Sequence, residues 1–141
     1  MCPKVRIVLT ALGISCVGMS SAYASAPQVL CYLWADQPSP TINVPYTPDP
    51  TYSFNSKKKA VSVTKVATGV YDVVCTGEGG KGAGGHVQVS SYGSGLNTFC
   101  HVGFWDNGAD LTAEVDCFGK GGGNGGGPAP QDSSFDFLYV R

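Results

Sequence analysis

The sequence predicts an exported all-β domain, a single antiparallel β-sandwich of seven to eight short strands closed by two disulfides. Three observations carry this. The stretch Thr98 to Phe118, TFCHVGFWDNGADLTAEVDCF, reads as a β-hairpin that places its own two cysteines opposite each other. Short alternating apolar and polar runs recur between turn signals, and no stretch shows sustained helical periodicity with caps. An apolar leader and an even set of later cysteines place the chain in an oxidising compartment.

The leader comes first. Lys4 and Arg6 form a positive start, Ile7 to Val17 is an apolar run too short to span a bilayer, and Ala22-Tyr23-Ala24-Ser25-Ala26 supplies small residues for cleavage. A cut after Ala26 would put Pro27 first, so the signal peptide is expected to be residues 1–24 and the domain residues 25–141. A lipoprotein anchor at Cys16 would need an aliphatic residue where Gly13 stands. No later apolar run is long enough for a membrane helix, so the expected location is secreted or periplasmic, with no membrane span. The chain has 141 residues and a formal net charge of −1, and loss of Lys4 and Arg6 makes it more acidic. That balance offers no electrostatic reason for nucleic acid as a partner. Four cysteines survive cleavage: Cys31, Cys75, Cys100 and Cys117. They lack the close C-x-x-C pairs of a structural zinc site, so two disulfides are expected and no metal or cofactor.

In chain order, Val29 to Trp34 (VLCYLW) is a six-residue apolar run, read as a strand buried on both faces. Pro38, Pro40, Pro45, Pro48 and Pro50 then forbid a helix or central strand, leaving an extended surface connection that Tyr46, Tyr52 and Phe54 anchor to the core. Asn55 to Lys59 is a solvated turn, its three lysines notwithstanding. Val61 to Val66 and Val70 to Thr76 form a hairpin about Ala67-Thr68-Gly69, with Tyr71, Val73 and Cys75 on one face. His86 to Tyr92 is a further strand, and Ser134 to Arg141 closes the domain with Phe135, Phe137 and Tyr139 on one face. In the stapled hairpin, a tip at Gly108-Ala109 pairs Cys100 with Cys117, Val102 with Val115 and Phe104 with Ala113 on one face. It pairs His101 with Asp116 and Trp105 with Thr112 on the other. Strand number and turn spacing favour an Ig-like sandwich, with a small barrel as the alternative. The glycine clusters Gly77 to Gly85 and Gly119 to Gly127 lack phosphate-loop spacing and read as flexible inter-strand loops.

Nothing in the chain matches a catalytic motif. His101 opposite Asp116 reads as a cross-strand charge pair, and Asp106 to Asp110 as a hairpin turn that needs no calcium. The aromatic residues are the functional candidates: Trp34 and Trp105 each end a strand beside an aspartate, and Tyr46 and Tyr52 lie along the proline-rich connection. The reading is a secreted binding or surface-interaction module for an extracellular or envelope glycan or protein. A small hydrolase using dispersed carboxylates and a toxin or inhibitor are the alternatives.

The segments ADQP (Ala35 to Pro38), YTP (Tyr46 to Pro48), TYSFNS (Thr51 to Ser56), TGVYDV (Thr68 to Val73), GGHVQVSSYG (Gly84 to Gly93), the Cys100–Trp105–Cys117–Phe118 set and DSSFDFLYVR (Asp132 to Arg141) together resemble a pattern of exported bacterial β-domains of unassigned function. The resemblance implies an independent exported domain and no particular activity. The pattern carries the hairpin cysteines but has apolar residues where Cys31 and Cys75 stand, which implies that these two pair with each other.

Overall fold

The computed structural model describes residues 26–80, 82, 84–93, 97–120 and 127–141. The expected signal peptide and most of the second glycine cluster lie outside the described residues. Among the described residues nine strands form: β1 (Val29–Ala35), β2 (Ser53–Asn55), β3 (Val61–Ala67), β4 (Val70–Cys75), β5 (His86–Tyr92), β6 (Thr98–Asp106), β7 (Leu111–Gly119), β8 (Ala129–Pro130) and β9 (Ser134–Val140). They build two antiparallel sheets. One has four strands in the order β2-β1-β9-β5; the other has β3-β4-β7-β6, with β8 beside the end of β7. The short β2 and β8 are additional to the strands expected from sequence.

Alternation explains the sandwich. Cys31, Leu33 and Ala35 of β1 and Phe135, Phe137 and Tyr139 of β9 point inward from one sheet. Val61, Val63, Tyr71, Val73, Cys75, Leu111, Ala113, Val115 and Cys117 meet them from the other, and together they form one core. In β3, β4, β7 and β9 buried residues alternate with less buried ones, so one face is covered, the ordinary condition of an antiparallel sheet. The two-sided burial expected for β1 is likewise corrected: Tyr32 and Trp34 point outward and are 37% and 44% exposed. A six-residue apolar run containing Tyr and Trp does not distinguish one covered face from two, because both residues tolerate a wet surface.

Both disulfides form as expected. Cys31–Cys75 joins β1 of one sheet to β4 of the other through the core. Cys100–Cys117 staples β6 to β7. The hairpin register holds from Thr98 through Val102 and then shifts at Gly103, where a β-bulge inserts one residue. Phe104 therefore pairs with Glu114, Trp105 with Ala113 and Asp106 with Thr112, correcting the expected Phe104–Ala113 and Trp105–Thr112 pairs. One extra residue swaps faces: Phe104 turns to solvent, and Trp105 turns in to pack on the core against Tyr139. Glycine suits the bulge because the Asp116 and Glu114 carboxylates lie over it, 2.6 and 2.9 Å from where a Cβ would sit.

The described part of the first glycine cluster is tied down. The Gly77 amide donates to the Asp110 carboxylate (2.6 Å) and the Gly80 amide to the Asn107 carbonyl (2.9 Å), so the loop packs on the tip of the β6–β7 hairpin. The buried Glu78 accepts from the Ser56 hydroxyl (2.6 Å) and the Lys57 amide (3.0 Å), fixing the lysine turn.

The other end of the sandwich is closed by Asp132 and Tyr71. The Asp132 carboxylate pairs with the buried Lys65 ammonium and accepts from the Gly69 amide (2.9 Å) and the Ser39 hydroxyl (2.8 Å). The Tyr71 hydroxyl donates to the Pro38 carbonyl (2.5 Å) and accepts from the Ser133 amide (3.1 Å). Burial pushes the Tyr71 hydroxyl up to about 12. Gly69 adopts φ +72° in the β3–β4 turn, and a Cβ there would collide with the Cys117 carbonyl and the Gln131 amide.

Burial alone would raise the Asp132 carboxyl, but its hydrogen bonds and the Lys65 charge outweigh this and hold it below the usual carboxylate range. The stability it supplies is present above about pH 4, the unfolded value, and is lost as pH falls through the depressed folded value. Urea unfolding across pH should show Asp132→Asn less stable than wild type by about 1–3 kcal/mol at neutral pH, with the gap closing under acid. A gap that persists unchanged at pH 2 contradicts the assignment.

Candidate ligand-binding face

The outer face of the four-stranded sheet collects aromatic side chains through simple register. A short 3-10 turn, Pro50–Tyr52, begins with proline and is capped by Asp49, whose carboxylate accepts from the Thr51 amide (2.7 Å). It leads directly into β2, which pairs Phe54 with Tyr32 and Ser53 with Leu33. The Phe54 ring therefore stacks beside Tyr32 (5.7 Å between centroids, 17° between planes). Tyr52 stacks on Trp34 (4.5 Å, 5°), and Tyr92 at the end of β5 leans toward Trp34 at 5.5 Å. Tyr52 is 45% exposed and Phe54 41%, so both face solvent and are not core anchors.

Beside this aromatic wall runs a groove of about 230 Å³ lined by Tyr32, Trp34, Gln88, Asp136 and Leu138. Its floor is the outward side of β9, where Asp136 and Leu138 stand between β1 and β5. Trp34, Asp136 and Ser90 form one cross-strand row; Tyr32, Leu138 and Gln88 form the next. Burial raises the Asp136 carboxyl above its usual range, against a backbone hydrogen bond from Ser90. Burial also raises the Tyr92 hydroxyl, helped by the negative charges of Asp36 and Asp136.

Of the four aromatic residues singled out from sequence, Trp34 and Tyr52 come together here. Trp105 does not, because the Gly103 bulge turns it inward. Tyr46 does not either: it is half-buried against the core, its backbone pairs with Val63 of β3, and burial pushes its hydroxyl well above the usual range. Sequence reading missed Tyr32, Phe54, Tyr92, Gln88 and Asp136 as members of the face. The signal available was the i, i+2 spacing of Tyr32 and Trp34 and of Tyr52 and Phe54, two aromatic pairs of strand period.

The outer face of the five-stranded sheet carries the other chemistry-bearing residues. His101 Nε2 lies 3.9 Å from Asp116 Oδ2 and its ring stacks on Phe118. Asp72 and Glu114 are cross-strand neighbours, and partial burial together with nearby Asp116 and Asp72 raises the Glu114 carboxyl. These carboxylates stand on a strand face; Asp72 borders a depression with Phe104, Val74 and Thr112 whose lining does not include Glu114. Among the described residues, no group of three or more His, Cys, Asp or Glu is placed to hold a metal ion, and no helix is long and apolar enough to cross a membrane. Comparison with known proteins finds no matching family, curated protein or solved structure.

The two tryptophans should differ in solution. Trp105→Phe, which leaves Trp34, is expected to give fluorescence that acrylamide quenches more readily than wild type. Trp34→Phe is expected to give the reverse. The opposite ranking would remove the bulge and restore the uninterrupted hairpin register.

Proposed function

We propose that the protein is a secreted or periplasmic binding module that holds an extracellular or envelope glycan or protein against the outer face of its four-stranded sheet. The observation that carries this is the gathering of Tyr32, Trp34, Tyr52 and Phe54, each more than a third exposed, on one face beside a groove. Contiguous aromatic surface left in water is unfavourable unless something covers it, and aromatic faces suit both sugar rings and apolar side chains. Export is supported by the leader, by the two disulfides and by the resemblance to exported bacterial β-domains. Hydrolysis by paired carboxylates is favoured less, because Asp72 and Glu114 meet on a strand face and not across a cleft.

A glycan and protein array probed with the mature domain tests this. Trp34→Ala and Tyr52→Ala are expected to weaken the strongest signal by about tenfold or more, roughly 1.4 kcal/mol, while leaving the melting temperature nearly unchanged. Phe104→Ala, on the opposite face, should bind as wild type. Full binding by Trp34→Ala would overturn the proposal.

A further inference from the structure

The face has a charge as well as a shape, and this deepens the reading just proposed. We infer that the groove between Trp34 and Gln88 takes a sugar bearing a free ammonium group, so that the ligand is an amino-sugar glycan with unacetylated amines.

Asp136 gives the groove its charge. Its side chain lies on the groove floor and makes no ion pair among the described residues. Every element packed around it supplies neutral or acidic neighbours. From β1 come Tyr32 and Trp34; from its own strand, Ser134 and Leu138; from β5, Gln88, Ser90 and Tyr92. Asp36, just beyond β1, adds a second negative charge near Tyr92. His86 pairs with Val140 at the other end of the sheet, and Arg141 follows it there. A half-buried carboxylate without a counter-ion stands in a costly place, and its raised proton affinity agrees with that.

A ligand ammonium would relieve this cost and would also lie against the Trp34 ring in the groove lining, since aromatic faces attract cations. The remaining lining chooses among ammonium ligands. Gln88 offers both a donor and an acceptor opposite the aromatic wall, suited to hydroxyl groups. Tyr32 and Trp34 lie two residues apart, roughly 7 Å along the strand, giving an apolar wall for successive ring faces. A lysine chain would use the wall and the carboxylate but leave the polar side of the groove unengaged.

The test uses the mature, disulfide-bonded domain and three probes: a β-linked glucosamine hexamer, its fully N-acetylated counterpart and an oligolysine of equal charge, titrated by calorimetry at pH 6. The glucosamine hexamer should bind about tenfold or more tighter than the acetylated one, and added salt should weaken it. Asp136→Asn should remove most of that preference. Equal or tighter binding of the acetylated oligomer overturns the inference and leaves the module reading intact. Tighter binding of oligolysine, or no binding of any probe by wild type, also overturns it. The module reading then rests on the Trp34→Ala array result alone. The wild-type comparison decides the matter even if Asp136→Asn misfolds, and Asp136→Ser supplies a second variant.

Discussion

The Cys31–Cys75 bond is the constraint on which the rest of the molecule depends. It is the covalent tie between the two sheets, its Cα atoms are 6.4 Å apart, and both sulfurs belong to residues with no exposed surface. It fixes β1 against β4 at a single register. Because side chains alternate along a strand, fixing Cys31 and Leu33 inward fixes Tyr32 and Trp34 outward. The core and the candidate binding face are thus two sides of one decision. A shift of β1 by one residue would bury the aromatic wall and expose the disulfide.

The two ends of the sandwich are held by polar groups of different kinds. At one end Asp132 and Tyr71 tie the proline-rich connection and the start of β9 to the β3–β4 hairpin. At the other, Glu78 and Asp110 bind loop amides, and residues 77–80 at the start of the glycine-rich segment dock on the β6–β7 tip. With both ends closed, the outer sheet faces carry the exposed aromatic surface. They differ in character: one offers stacked tyrosine and tryptophan beside a groove with a carboxylate on its floor, the other a Phe99–Phe118–His101 stack and Phe104 among acidic side chains.

Much of this was legible in the residues. Cys100, Val102, Val115 and Cys117 share a period of two on both arms of one hairpin, and only one register satisfies all four. Phe135, Phe137 and Tyr139 announce a strand face in the same way. The Gly103 bulge was not legible, because glycine neither fits nor breaks an apolar alternation, and the extra residue hides inside a well-patterned strand. Its consequence reached the site: Trp105 moved to the core. Tyr52 and Phe54 were hard to place for a related reason. They follow a proline-rich run, where the expectation is a loop, and β2 is too short at three residues to show a period. Asp136 was invisible as a groove residue until β1 and β5 were known to flank β9, since that adjacency joins segments far apart in sequence.

Thermal melting of the two disulfide knockouts tests the central role of the inter-sheet bond most directly. Loop entropy gives the longer Cys31–Cys75 link roughly 4 kcal/mol and the hairpin link roughly 3, and only the former leaves both vacated positions wholly inside the core. Cys31→Ala/Cys75→Ala should therefore melt well below Cys100→Ala/Cys117→Ala, and it should lose the near-ultraviolet signature of the packed aromatics as the strands uncouple. Equal melting points, or a larger loss from the hairpin pair, would contradict the account, because β1 would then be held in register by something other than its bond to β4.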